Sequence, residues 1–389
     1  MATNGKTTNG SVTSNGKYVV AGIDMSDLFP EPFPTDVKTV QLKTLSLAKL
    51  LAKDEAELQR IYQNCKDPGF FQLDLTDDAQ GIQLLKDAVD CARLMKELLP
   101  NMSVESKRTY KQRERVGVFS MGYQVYDVLP NGQPKYNETV NFPMTEMLGY
   151  GDSSALKLPE WLSPHQELFK RTMVNGNKIA NIVLAALEVG LQLPPGSITS
   201  AHRIEDPSDD FLRLLRYPGL DPSQPRDDLG FPAHKDFTSL GLLFTWLGGL
   251  QLPASATAPD VPAGPMTGPI DIAEDAWRWV EPVPGTAIVN IGDALEVLTN
   301  KALTSGLHRV VRAPGSQGPF DRYSVLVGTR PSNTFPMKPF QSPAISPEVD
   351  PANAEIVKMT SGEWGTYKIS SFGNWVKARR ERNEALVIE

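Results

Sequence analysis

The feature that most constrains how this chain can fold is a pair of strand-like segments, far apart in sequence, that each carry potential metal ligands. In Phe231-Pro232-Ala233-His234-Lys235-Asp236-Phe237-Thr238, His234 and Asp236 stand two residues apart. A β-strand sends residues i and i+2 to the same face, so both side chains can reach one ion. Well downstream, Ser305-Gly306-Leu307-His308-Arg309-Val310-Val311 places a second histidine in a β-branched run that reads as another strand. A fold that uses these residues together has to lay the two strands side by side. The resulting set is two imidazoles and one carboxylate. Three such ligands on one side of an octahedral ion leave three positions open, an arrangement suited to an Fe(II) that must hold further ligands.

A His-x-Asp pair arises often by chance, and a second strand-borne histidine strengthens the reading without deciding it. The next motif does more. In Asp321-Arg322-Tyr323-Ser324-Val325-Leu326-Val327, Arg322 and Ser324 again share one strand face. A guanidinium fork matches a carboxylate bidentately, and a serine hydroxyl adds a hydrogen bond to the same group. The pair suits the far carboxylate of 2-oxoglutarate, whose keto-acid end would take two of the open metal positions.

With these motifs in place, the sequence resembles the isopenicillin N synthase-like group of Fe(II)/2-oxoglutarate-dependent dioxygenases of plant and fungal metabolism. The resemblance runs from Gly22 to about Pro331. Cys65-Lys66-Asp67-Pro68-Gly69-Phe70-Phe71-Gln72 is similar to the family's N-terminal signature. Phe211-Leu212-Arg213-Leu214-Leu215-Arg216-Tyr217-Pro218 is similar to its strand before the iron motif, and Val289-Asn290-Ile291-Gly292-Asp293 through His308-Arg309-Val310-Val311 is the closest match. By this resemblance His234, Asp236 and His308 are iron ligands, Arg322 and Ser324 bind the distal carboxylate of the cosubstrate, and Tyr217 supplements that site. The resemblance implies a β-rich α+β fold: a double-stranded β-helix, or jelly roll, braced by N-terminal helices and a long central helix, with a C-terminal helix. It also implies that Fe(II), 2-oxoglutarate and O2 together oxidise a small molecule, with hydroxylation the default outcome and desaturation, epoxidation or ring rearrangement open to the same machinery.

Where many plant members have an asparagine two residues before the tyrosine, this chain has Leu215, which removes one polar contact to the cosubstrate. The stretch from Leu215 to Pro222 also resembles isopenicillin N synthase itself, an oxidase that uses the arginine-serine pair for its substrate and needs no 2-oxoglutarate. Motif spelling leaves that alternative open, along with a catalytically silent binding protein on the same barrel.

Composition agrees with an enzyme of the interior-forming, water-soluble kind. The 389 residues are 40% hydrophobic and 22% charged, enough to bury a large core around one catalytic domain. A net charge of -7 argues against nucleic-acid or anionic-membrane partners, which call for clustered basic surface. The basic run at 377–382 is mixed with acids and reads as a solvated helix face. No obligatory protein partner is inferred. Two cysteines, Cys65 and Cys91, without a Cys-x-x-Cys, supply neither a disulfide framework nor a zinc ribbon and read as small buried hydrophobes. Residues 1–17 lack the apolar core of a signal peptide, and no apolar run reaches membrane-spanning length, which together favour a disordered tail on a cytoplasmic protein. Of the remaining histidines, His165 reads as a helix-start residue and His202 as a hydrogen-bonded structural one.

Along the chain, 18–24 reads as a short strand, 40–64 and 77–98 as helices around a short strand at Phe70 and Phe71, and 167–189 as the long helix behind the barrel. Short strands then follow through 198–330. The expected organisation is a tail at 1–17, a mainly helical region at 18–200, the jelly-roll core at 201–335 and a C-terminal tail and helix at 336–389, a candidate pocket cover through Trp364, Tyr367, Phe372 and Trp375. The Pro/Gly/Ala-rich stretch 253–269 is a surface excursion on a hairpin. Finally, strand parity carries Arg213 onto the face of Tyr217, and Gly328 and Arg330 onto the face of Arg322. The expectation is that Arg213 or Arg330 meets a carboxylate or another electron-rich oxygen of the substrate, with Gly328 leaving room for a bulky ring.

Overall fold

The computed structural model describes residues 11–12, 18–110, 122–125, 128–129, 132–151, 156–219, 229–254, 259–264, 270 and 272–370. Strands β1 (Ser11–Val12), β2 (Tyr18–Val20) and β3 (Ile23–Asp24) form a small antiparallel sheet. Then come β4 (Thr44–Ser46), α1 (Leu47–Leu51), α2 (Glu55–Lys66), β5 (Phe70–Asp74), α3 (Ala79–Leu98), α4 (Val104–Lys107), β6 (Gly122–Val125), β7 (Glu138–Pro143), α5 (Met144–Met147) and α6 (Gln166–Gly190). The remainder supplies β8 (Phe211–Tyr217), β9 (Leu229–His234), β10 (Leu240–Thr245), β11 (Leu250–Pro253), β12 (Trp277–Trp279), β13 (Thr286–Ile291), α7 (Asp293–Leu298), β14 (His308–Val311), β15 (Arg322–Thr329) and α8 (Ser361–Ile369).

Two sheets face each other. The larger runs β4-β5-β13-β10-β15-β8-β7-β6 and the smaller β12-β11-β14-β9, with every pair antiparallel except β4 with β5. This is the expected jelly roll. The outer face of the larger sheet carries Leu212, Leu214, Val325, Val327, Leu242, Phe244 and Val289, which share one core with the buried sides of α3 and α6. Gly176 of α6 lets that helix lie directly against Val327, because a Cβ there would stand 2.8 Å from its methyl. The inner face packs on the smaller sheet through Phe70, Ile288, Leu250, Leu252 and Val310. Alternation therefore gives each strand of the larger sheet one face for the helices and one for the space between the sheets.

Several segments depart from the sequence reading for identifiable reasons. The apolar period of 40–64 is broken into β4, α1 and α2, because Thr44–Ser46 joins β5 as a parallel neighbour and Asp54 caps a fresh helix start after Lys53 at φ 56°. Residues 18–24 make two strands around a turn, not one. The larger sheet also draws β4, β5, β6 and β7 from before residue 200, so the barrel is not confined to 201–335 and the preceding region is less helical than expected. The period of α3 and α6 is as read. Excursion 253–269 does connect two paired strands, β11 and β12. The basic run at 377–382, Phe372 and Trp375 lie outside the described residues. Among those described, no helix is long and apolar enough to cross a membrane.

Candidate metal centre and cosubstrate site

His234 ends β9 and His308 begins β14, and these strands pair with the two histidines in register. Asp236 follows on the same face, with its carboxylate 3.5 Å from His234 Nε2 and 3.8 Å from His308 Nε2. One ligand atom from each of the three lies within 4.8 Å of the others, the one such cluster among the described residues. The tautomers are also set. His234 Nδ1 lies 2.8 Å from the Pro232 carbonyl and His308 Nδ1 3.0 Å from that of Gly306, so each Nδ1–H donates and each Nε2 lone pair points inward. Asn290 of β13 donates to Asp236 Oδ2 at 2.9 Å. Phe70 and Phe231 pack edge-on against the two imidazoles. Burial pushes the His308 pKa down to about 4, so the ring is neutral and able to ligate. For Asp236 burial opposes ionisation, but His308, His234 and Asn290 outweigh it and hold the carboxyl well below its usual range. A neutral His308 imidazole and an ionised Asp236 carboxylate are protonation states that suit a divalent ion.

Two close approaches put these groups in place. A Cβ on Gly306 would stand 2.0 Å from the Phe70 ring, and one on Gly292 would stand 2.1 Å from the Thr238 carbonyl oxygen. Glycine at each position lets the His308 segment and the start of α7 close on the ligand strand.

On the inner face of β15, Arg322 is opposite Tyr217 of β8, while Ser324 lies between Leu215 of β8 and Thr245 of β10. The Arg322 guanidinium is buried and sits 5.1 Å from the Tyr217 ring centroid. Burial disfavours its charge and Tyr217 offsets part of that. Among the described residues no carboxylate pairs with Arg322, which bonds the Tyr217 side chain and whose Nε lies 3.4 Å from the Leu247 carbonyl. A buried guanidinium stays charged and calls for an anion. The Thr245 hydroxyl stands 3.4 Å from that of Ser324, a polar neighbour on the side of the serine away from Leu215.

The other sequence-selected residues divide. Arg213 is on the inner face within β8, half-buried, with Nε donating to Asn141 Oδ1 at 2.5 Å and its guanidinium over the Phe211 ring. Arg330 lies just past the end of β15, fully buried, and pairs with Asp209 at 2.8 Å. The chain itself thus supplies the acid that the sequence reading assigned to a substrate. Gly328 needs correcting too: the space beside it is taken by Phe211, whose ring a Cβ would meet at 2.4 Å. Trp364 is buried against Phe237 and under Arg330, a packing role, and Tyr367 is exposed. His202 is buried between the Ile198 carbonyl and the Ser239 hydroxyl, and His165 is the N-cap of α6. Both cysteines are free and buried. Reasoning from sequence passed over Asn290 and Thr245. The signal for Asn290 was a lone amide in the apolar run Ala287-Ile288-Val289-Asn290-Ile291; Thr245 gave none, because its role depends on which strand lies beside Ser324.

Comparison with known proteins agrees with this geometry. The sequence pattern of the 2OG-Fe(II) oxygenase superfamily matches residues 208–331. A 2-oxoglutarate-dependent dioxygenase of Aspergillus fumigatus is 79% identical over 388 residues, covering 100% of both chains. A second relative of that description, from Gibberella zeae, is 28% identical over 304 residues, 78% of this chain and 83% of its own. Among solved structures, full-length Neurospora crassa T7H in complex with alpha-KG and 5-formyluracil shares the fold at TM-score 0.63 and 18% identity, covering 86% of this chain and 97% of that one. JOX2 in complex with 2OG, Fe and JA does so at TM-score 0.57 and 20% identity, covering 84% and 88%. An identity of 79% along the whole chain, over a jelly roll that brings two histidines and an aspartate together, places this chain in the 2OG-Fe(II) oxygenase superfamily.

Proposed function

We propose that His234, Asp236 and His308 hold Fe(II), that Arg322, Ser324 and Tyr217 receive the distal carboxylate of 2-oxoglutarate, and that the enzyme oxidises a small molecule at the remaining metal face. The observation that carries this reading is the buried Arg322 guanidinium, without a carboxylate among the described residues, on the sheet face that also presents Asn290 to Asp236. The donor set fits the metal and the arginine fits the diacid. Iron and 2-oxoglutarate, when bound, would supply the chemistry by which O2 takes four electrons, two from oxidative loss of carbon dioxide from the keto acid, which leaves as succinate, and two from an unactivated C–H bond of the substrate. The chain's own part is positional. The carbonyls of Pro232 and Gly306 hold the imidazoles with Nε2 inward, Asn290 orients the carboxylate, and Phe70 and Phe231 wall the site with apolar surface that excludes water. The names of the relatives, which specify 2-oxoglutarate, favour this reading over a keto-acid-independent oxidase.

For the substrate, Arg213 is the residue of choice among those selected from sequence. It stands on the inner face beside Leu326, with Asn141 and Phe211 holding its guanidinium, where it can meet a carboxylate or another electron-rich oxygen. A cytoplasmic setting is part of the same reading. The test is to incubate anaerobically purified protein with Fe(II), 2-oxoglutarate and a panel of small metabolites, then admit oxygen and measure succinate and product masses. Substrate-dependent succinate is expected; full substrate turnover without any keto acid would overturn the cosubstrate assignment.

A further inference from the structure

Lys235 lies between two of the proposed ligands and, by alternation, points away from the metal. Its side chain is nearly buried, and its ammonium group lies 2.6 Å from Glu296 Oε2, 3.7 Å from Asp293 Oδ1 and 3.0 Å from the Val261 carbonyl. The other carboxylate oxygen of Glu296, Oε1, accepts the Ser305 backbone N–H at 2.9 Å. Ser305 is followed by Gly306, whose carbonyl accepts from His308 Nδ1. One buried carboxylate of α7 therefore bonds both segments that carry the ligands. Asp293, three residues earlier on α7, ties the first of these segments to α8 instead: its N–H donates to the Asp236 carbonyl at 2.7 Å, and its carboxylate accepts from Lys368 of α8. Lys368 and Trp364 of α8 also donate to the Ala263 carbonyl, at 3.3 and 3.2 Å, which fastens the excursion after β11 to the same place.

We propose that Glu296 is a positioning residue for the metal centre: by bonding Lys235 and the Ser305 amide at once, it fixes the separation of the His234–Asp236 segment from the His308 segment. Glutamate is needed for its reach, since its extra methylene carries the carboxylate far enough from α7 for one oxygen to meet the Lys235 ammonium and the other the Ser305 amide. A buried ion pair is a weak source of stability, whereas removing one partner leaves a charge stranded. The function of this pair is then geometric. Partners that orient ligands from outside the coordination sphere typically affect metal affinity by about 10–100-fold.

The proposal rests on the triad being the metal site, and the experiment separates the two. Mn(II), a stand-in for Fe(II) that does not oxidise in air, is titrated calorimetrically into metal-free wild type, Glu296→Asp, the double variant Lys235→Met/Glu296→Met, and a remote core variant, Leu84→Ala, with thermal unfolding followed for each. Glu296→Asp keeps the charge but shortens the reach, and the double variant removes both charges together. Both are expected to bind Mn(II) about tenfold more weakly than wild type, while Leu84→Ala loses thermal stability and keeps wild-type affinity. Wild-type affinity in Glu296→Asp or in a folded double variant would overturn the proposal, as would an equal loss in Leu84→Ala. Should the double variant not fold, Glu296→Asp decides. Failure of wild type itself to bind Mn(II) would instead strike the assignment of the triad.

Discussion

Each proposed ligand would contribute one of three protein bonds to the metal, so His234→Ala, Asp236→Ala and His308→Ala should each abolish turnover while leaving the unfolding temperature of the metal-free protein within a few degrees of wild type. Activity assays beside thermal melts check this. Restoration of full activity to stripped wild type by zinc alone would contradict it, because zinc has no redox chemistry. Arg322→Ala should raise the 2-oxoglutarate requirement about a hundredfold or more, since two charge-assisted hydrogen bonds are worth roughly 1.5–3 kcal/mol each. Ser324→Ala should cost much less, because Thr245 stands beside it with a second hydroxyl. The clustering of His234, Asp236 and His308 and the shared face of Arg322 and Ser324 were legible in the sequence because each residue carries its chemistry in its own side chain at strand spacing. Arg330 and Gly328 were misread for the opposite reason. Parity fixes the face a residue looks to, but not what a neighbouring segment has already put there, and Asp209 and Phe211 occupy the places that a substrate was expected to fill.

Between elements, the outer face of the larger sheet holds a second buried charge network. Glu138 of β7 accepts from Lys107 Nζ at 2.5 Å, the Tyr123 hydroxyl at 2.6 Å and Arg216 Nη1 at 2.6 Å, and Arg216 reaches on to Asp321 at 2.6 Å. Arg216 and Asp321 each flank a residue of the proposed cosubstrate site, Tyr217 and Arg322, on the opposite face of the sheet. Glu138→Ala strands the buried Lys107 ammonium and leaves Arg216 with Asp321 alone, and should destabilise the fold by about 3–5 kcal/mol, measurable by denaturant unfolding. Gly328→Ala drives a methyl into Phe211 and should cost about 1–3 kcal/mol by the same measurement; an unaffected stability would mean that the space beside this glycine is open after all. The long elements α3 and α6 were readable because helical period persists over many turns. The strands β4, β6 and β7 were not, since each is short and is stabilised by a partner strand that no local pattern reveals.

At the scale of the whole molecule, acid should act through buried histidine. Burial lowers the His202 pKa from 6.5 to about 4, against the opposing pull of the Ile198 carbonyl and the Glu188 carboxylate. As pH falls below 6.5 the unfolded chain takes up the proton first, so His202 contributes stability that is present above that value and is lost towards pH 4, about 3 kcal/mol in all. Asp210 acts in the other direction: its carboxyl, raised by burial to about 7, lends stability below pH 3.8 that is lost as pH rises through 7. The difference in pH profile between metal-free wild type and His202→Gln isolates the histidine, and the variant should lack the loss between pH 6.5 and 4. One site between the two sheets is proposed to hold both the metal and the keto acid. The most direct test is an anaerobic titration of 2-oxoglutarate into the Fe(II)-loaded protein, followed by the visible charge-transfer absorption of a keto acid chelated to iron. Wild type should give a band that saturates with a single equivalent, Arg322→Ala the same band at about a hundredfold higher concentration, and Asp236→Ala none; a band that saturates identically in wild type and Arg322→Ala, or no band in wild type, would contradict the account.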